Sequence, residues 1–221
     1  MNQFKTIYCD FDGTISKIDT VNSFFSRFAS SDWLSVEQEW IDKKIGSREC
    51  LTRQLELVSG LEEPLLLEFL DSIDIDDGFK GFYNYLKDSG REIVVLSDGF
   101  DFFIKRILFN HGFSNIKVCS NNFKIIDNKF FVSFDNTPAG YTCNAGTCKC
   151  SKIVGDKFLY IGDGLSDVCV AQKASILYAK NSLAKYCDNI GLVYKKFSTF
   201  SDIVEDLRKG DLNATACSGN Q

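Results

Sequence analysis

Proline and histidine are almost missing from this chain, whose 221 residues include 2 Pro and 1 His. So few prolines exclude long polyproline linkers. The lone His111 cannot build a catalytic triad or a His-rich metal centre elsewhere. No apolar run approaches the ~20 residues that a membrane helix needs. The opening MNQFKTIYCDFDG lacks a basic start followed by an apolar h-region, so no signal peptide is expected. Positive charge is not in excess. Lys and Arg number 25 against 30 Asp and Glu, a net charge of −5, which argues against the basic face of a nucleic-acid binder. Paired C-x-x-C motifs are absent, and the 9 Cys are an odd set scattered from Cys9 to Cys217. Reduced thiols of a cytoplasmic protein fit that pattern better than a disulfide framework. Internal repeats and low-complexity segments are absent too.

The material that is present is ordinary for a globular protein: 44% hydrophobic and 25% charged residues, with 20 Phe for the core. The length allows one large domain, or a core domain with an insert. Residues 4–11 read as a buried strand. Residues 20–88 read as helical almost throughout. Ser30-Ser31-Asp32 can cap a helix carrying Trp33, Val36 and Trp40. Leu51, Leu55 and Val58 recur at helical spacing before Gly60, and a further helix spans 79–87. REIVVLSDG is then a strand, FDFFIKRILFNHG a helix stopping at Gly112, 116–119 a strand, and FKIIDNKFFVSF a hairpin turning at Asp127-Asn128. Residues 135–150 read as a loop, KFLYIGDG as a core strand and 165–173 as a helix. Segments 175–178, 183–187 and 191–194 continue the alternation. A helix at 200–209 closes the chain, and 210–221 reads as a flexible tail. The expected fold is α/β: a Rossmann-like parallel sheet from 1–15 and 90–209, with a helical cap inserted over 16–89.

Three polar clusters follow predicted core strands. They are Asp10 and Asp12 in YCDFDGT, Ser97-Asp98-Gly99 in LSDG, and Asp163 with Asp167 in IGDGLSD. Open parallel sheets bind ligands at the carboxyl ends of their strands, so the clusters converge. Their carboxylates are prohibitive when buried without a cation, and an all-oxygen set favours Mg²⁺. Beside such a metal, one Asp can attack phosphorus. A second acid two residues on can protonate the leaving oxygen, then deprotonate the attacking water. A hydroxyl, glycine N–H groups and a lysine suit the remaining phosphate charge. CKCSKI offers Lys149 and Lys152 for that lysine.

This set resembles the haloacid dehalogenase superfamily of phosphatases. Asp10-Phe11-Asp12-Gly13-Thr14 meets the first motif, Ser97 the second, and Gly162-Asp163 through Asp167 the fourth. The resemblance implies Asp10 as nucleophile and Asp12 as acid/base. It also implies Mg²⁺ on Asp10, Asp163 and the Asp12 carbonyl, with Asp167 supporting. Ser97, Asp98, Gly99 and Lys149 are then the candidate phosphate contacts. A lysine directly after Cys resembles the methionine-salvage phosphatases of 2-hydroxy-3-keto-5-methylthiopentenyl 1-phosphate, and also the phosphocholine/phosphoethanolamine phosphatases. Lys149 is preferred over Lys152 on that ground. A cap between the first two motifs is similar to the phosphoserine phosphatase branch. There a Glu nine residues after the nucleophile binds the substrate amine, and here Asp19 stands at that position. Arg53 is near the register of that branch's carboxylate-binding arginine.

Simpler readings stand beside these. Asp19 can cap a helix, Arg53 can be a solvated helix residue, and Asp98 can close a turn. Cys143, Cys148 and Cys150, with Cys119, are either a zinc site or ordinary loop thiols. His111 reads as a last-turn residue at a helix end, and the Phe-rich run 100–109 as core. The expected function is Mg²⁺-dependent hydrolysis of a small phosphomonoester, most like the salvage phosphatases. Phosphoserine and phosphocholine or phosphoethanolamine phosphatases are the alternatives. A non-catalytic phosphate-binding protein and a phosphoacceptor signalling domain are the readings from other classes.

Overall fold

Alternating apolar residues near the start place Ile7 and Cys9 on one face of a strand and Tyr8 on the other. In the computed structural model, which describes residues 4–126, 129–135 and 144–218, this strand is β1 (Thr6–Cys9). Then come α1 (Thr20–Phe28), α2 (Trp33–Ile41), α3 (Ser47–Glu56), α4 (Glu63–Asp71) and α5 (Phe79–Asp88). The next are β2 (Glu92–Phe100), α6 (Asp101–Asn110), β3 (Lys117–Ile126) and β4 (Lys129–Ser133). After a 3₁₀ turn at Lys149–Lys152, β5 (Leu159–Gly162) leads through a 3₁₀ turn at Leu165–Asp167 into α7 (Val168–Ala171). The chain closes with β6 (Ile176–Ala179), α8 (Asn181–Ile190), β7 (Lys195–Lys196) and α9 (Phe200–Ser218).

The strands form a 7-stranded sheet in the order β4-β3-β2-β1-β5-β6-β7. All pairings are parallel except the β3–β4 hairpin. Register carries the alternation across the sheet. Tyr8 pairs with Val94 and Tyr160, and Tyr160 with Leu177, and all of them feed one core cluster. Ile7, Ile93 and Leu159 pair likewise and feed the other. The second cluster takes most of the Phe. Phe24, Phe100, Phe103 and Phe123 meet in a chain of rings with centroids 5.0–5.1 Å apart. Such pairs add about 0.5–1.5 kcal/mol each beyond burial.

Element boundaries differ from the sequence reading in several places. The expected strand 116–119 and the first arm of the hairpin are one strand, β3. Asn121 is fully buried there, with its amide donating to the Asp98 carbonyl at 2.6 Å, so a polar stretch does not break the strand. The hairpin's expected turn residues, Asp127 and Asn128, lie outside the described residues. Within the helical block assigned to the cap, α5 packs on the sheet side of the molecule. Phe79 and Phe82 meet Phe200 of α9 at 5.0 and 4.9 Å. The helix expected to stop at Lys209 continues as backbone to Ser218, carrying Gly210 inside it. At α2, the expected side-chain cap is replaced by backbone turns: Asp32 makes no side-chain cap bond, and Trp33 N–H donates to the Ser30 carbonyl. No helix of the described residues is long and apolar enough to cross a membrane.

Candidate active site

Asp10 leaves β1 at the carboxyl edge of the sheet, with its N–H bonded to the Ile161 carbonyl of β5 at 2.9 Å. Phe11, fully buried, anchors the turn that follows, and its carbonyl accepts from Thr14, Ile15 and Ser16. Gly13 has φ +70°, and a Cβ there would lie 2.7 Å from Asp163 Oδ2. Both the left-handed backbone and the close approach require glycine.

The structure brings Lys149, rather than Lys152, to Asp10. Lys149 is 4% exposed. Its Nζ donates to Asp10 Oδ1 at 2.8 Å, Asp167 Oδ1 at 2.5 Å and Ser166 Oγ at 3.2 Å. Asp167, with no exposure, is saturated. Its Oδ1 also accepts from the Tyr160 hydroxyl at 2.6 Å, and its Oδ2 from the Asp163 and Gly164 N–H groups, both at 3.0 Å. Asp163 is held by the Thr14 hydroxyl at 3.0 Å and the Asn181 amide at 3.1 Å. One carboxylate oxygen each from Asp10, Asp163 and Asp167 lies within 4.8 Å of the others.

Burial, then the charge of Asp167, push the Asp10 carboxyl well up against the pull of Lys149. Burial raises Asp163 too, opposed by its bond from Asn181. Burial alone would lower the Lys149 ammonium, but Asp10 and Asp167 outweigh it and hold it above its ordinary range. The carboxylates are therefore short of positive charge, and their oxygen donors suit a hard divalent cation.

Asp12 turns its carboxylate away from this group. Oδ1 accepts from the N–H of Thr20 at 2.9 Å and from its hydroxyl, and Oδ2 faces the Ser97 hydroxyl at 3.3 Å. Burial raises its pKa, opposed by the Thr20 bonds. Ser97 is fully buried, and its Oγ accepts from the Gly99 N–H at 2.9 Å. A Cβ at Gly99 would come within 2.5 Å of Asp12 Oδ2, so the second strand end can approach the first through glycine alone.

The profile of the haloacid dehalogenase-like hydrolases matches residues 7–172. The chain belongs to this family. It is similar to the 2-hydroxy-3-keto-5-methylthiopentenyl-1-phosphate phosphatase of Lysinibacillus sphaericus, 30% identical over 91% of this chain and 94% of that one. The enzyme of the same name from Brevibacillus brevis is 26% identical over 95% and 97%. Among solved structures, a phospho-aspartyl intermediate analogue of phosphoserine phosphatase superposes with TM-score 0.67 at 18% identity, covering 91% of this chain and 98% of that one.

In this hydrolase a cavity of about 280 Å³ opens over Asp10 and Asp12. Val21, Trp40, Ile41 and Leu51 line its far wall, with Asp19, Asn22, Glu37 and Gln54 as polar insertions. Asp19 lines the cavity and is exposed to solvent. Burial and the charge of Asp12 push its carboxyl up to about 7. It also caps α1 by accepting from the Asn22 N–H at 2.8 Å.

Two other expected contacts have their side chains bonded within the protein. Arg53 is not among the residues lining the cavity. Its guanidinium forks onto Glu39 of α2 at 2.8 and 2.9 Å and reaches Glu49, one helical turn back, at 3.4 Å. Asp98 lines the cavity, but its carboxylate is spent on the protein, accepting from the Ser47 hydroxyl at 2.5 Å and the Thr147 N–H at 2.7 Å. A carboxylate so placed offers a phosphate only repulsion. Of the thiol cluster, Cys143 lies outside the described residues. Cys119 is half-buried and Cys148 buried, and Cys150 meets Cys169 at 2.9 Å. His111 caps the end of α6, its ring nitrogen 2.9 Å from the Ile73 carbonyl. Sequence reasoning missed Thr20, Tyr160, Asn181 and Glu37, none of which belongs to a motif.

Proposed function

We propose that this hydrolase cleaves a small phosphomonoester through a phosphoaspartyl intermediate on Asp10, with Mg²⁺ as its cofactor. The carrying observation is Asp10 itself, one oxygen held by Lys149 at 2.8 Å at the floor of a cavity that also presents Asp12, Ser97 and Gly99. The free oxygen of Asp10 attacks phosphorus, and the ester P–O bond breaks. Asp12 delivers a proton to the departing oxygen. Asp12 then takes a proton from a water that attacks phosphorus, which releases phosphate and restores the Asp10 carboxylate. Ser97, the Gly99 N–H and Lys149 carry the phosphoryl charge. Asp10, Asp163 and the Asp12 carbonyl are the proposed Mg²⁺ holders, with Asp167 orienting them. The metal's contribution is to neutralise phosphoryl oxygens. The free thiols of Cys9, Cys50 and Cys187 fit a reducing, cytoplasmic setting.

The cavity wall bears on the leaving group. Among the described residues its lining includes Asp19 and Glu37 but neither Lys nor Arg. The carboxylate of phosphoserine finds no cationic side chain among the described lining residues, while its ammonium faces the same two acids. A neutral leaving group with an apolar tail suits Val21, Trp40, Ile41 and Leu51 better, which favours 2-hydroxy-3-keto-5-methylthiopentenyl 1-phosphate. Asp19 and Glu37 also support a second reading, an amino-alcohol phosphate such as phosphoethanolamine or phosphocholine. Phosphate release from these substrates and phosphoserine, with Mg²⁺, tests the proposal. The highest kcat/KM is expected for the methylthio ester and the lowest for phosphoserine. No turnover of any of them, or of p-nitrophenyl phosphate, overturns the reading.

A further inference from the structure

We infer that Asp98 is a positioning residue for Lys149, tying the N-terminus of α3 to the segment 144–148 that delivers the lysine to Asp10. This rests on the phosphatase reading above. Asp98 Oδ1 accepts from the Thr147 N–H at 2.7 Å, two residues before the lysine. Asp98 Oδ2 accepts from the Ser47 hydroxyl, and that same Oγ accepts from the Gly146 N–H at 2.9 Å. Asn121 closes the knot. Its amide donates to the Asp98 carbonyl at 2.6 Å, and its oxygen accepts from the Thr147 hydroxyl at 3.0 Å. Ser47, Asn121 and Thr147 are all buried. Backbones meet here as well. A Cβ on Gly46 would come within 2.5 Å of Asn144 Cβ, and one on Gly146 within 2.7 Å of Asp98 Oδ1. Arg48 of α3 adds a bond to the Ala145 carbonyl at 2.9 Å.

The consequence is mechanical. Lys149 begins a one-turn 3₁₀ helix that has no side-chain cap of its own. Its approach direction is therefore set by the segment before it, and Asp98 fixes that segment. Since Ser47 starts α3, and α3 supplies Cys50, Leu51 and Gln54 to the cavity wall, the same carboxylate couples lysine placement to the seating of that wall.

A double-mutant cycle tests this, reading kcat/KM on p-nitrophenyl phosphate with Mg²⁺ for Asp98→Ala, Lys149→Ala and the pair. Measurable wild-type turnover is required first, and its absence counts against the phosphatase reading rather than against this one. Each single variant is expected to lose about ten- to a hundred-fold. The pair is expected to fall no more than about threefold below the worse single. A pair whose loss equals the product of the singles makes Asp98 merely structural and overturns the inference. Should Asp98→Ala fail to fold, Ser47→Ala, which deletes one hydroxyl, takes its place in the same cycle with the same two outcomes. Thermal melts with and without Mg²⁺ identify such folding failures.

Discussion

Replacing Lys149 separates the electrostatic contribution of the site from its nucleophile. Lys149 makes two charge-assisted bonds between groups that are almost wholly buried, at 2.8 Å to Asp10 and 2.5 Å to Asp167. The two losses are unequal. Asp167 keeps the Tyr160 hydroxyl and two backbone N–H donors, so its position survives. Asp10 loses the ammonium that orients one oxygen and offsets the charge arriving with the phosphoryl group. One charge-assisted contact is worth about 1.5–3 kcal/mol, or about ten- to a hundred-fold in kcat/KM. Lys149→Met fills most of the volume and removes the charge, and Lys149→Ala removes both. Both are expected to show this loss on p-nitrophenyl phosphate at saturating Mg²⁺, with Lys152→Ala within about threefold of wild type. The reversed order, or a loss within threefold for Lys149→Met in a protein that melts normally, refutes the assignment.

Asp12→Asn is expected to slow alkyl phosphates by about 10²–10⁴ in single-turnover assays and aryl phosphates less, since a good leaving group needs less protonation. Equal losses count against proton transfer. Arg53→Ala is expected to leave KM within about twofold for every substrate, because its guanidinium is paired with Glu39 and Glu49 away from the cavity. Removal of Mg²⁺ with a chelator is expected to abolish turnover and lower the Tm, because Asp10 and Asp167 then share Lys149 as their bonded counter-charge while Asp163 is offset only by the more distant Lys180. An unchanged Tm argues against a resident cation. Hydrogen bonds from Arg106, then Asn110, hold Asp71 at about 2. A depressed carboxylate stabilises above its unfolded pKa and loses that contribution as pH falls through its folded one. The Tm gap between wild type and Asp71→Asn is therefore expected to be constant above about pH 5 and to shrink as pH falls toward about 2.

Strand ends carried most of the legible information. YCDFDGT, LSDG and IGDGLSD each stop an apolar run on polar residues, and a parallel sheet can only gather such ends along one edge. The structure does bring Asp10, Ser97 and Asp163 together there. Contacts set by packing between distant helices or loops were not legible. Arg53 pairs with Glu39 because α2 lies against α3, which no local pattern encodes. Lys149 and Lys152 share one short turn, and only its orientation decides which reaches Asp10. Asp98 looked like a phosphate contact because it adjoins Ser97, but its bonds run to residues 47 and 147. Asn121 and Asn122 looked like a break between strands, yet Asn121 is bonded into the sheet's interior and β3 runs through it.

Trapping the covalent intermediate tests the central claim most directly. The enzyme is mixed with p-nitrophenyl phosphate and Mg²⁺, quenched within the first turnover and reduced with borohydride, which converts an acyl phosphate to an alcohol. Peptide mass analysis then locates the change. The expected result is homoserine at residue 10, absent from Asp10→Asn and from samples without substrate. Full turnover with no modified aspartate, or with the modification on Asp12 or Asp163, contradicts Asp10 as the nucleophile.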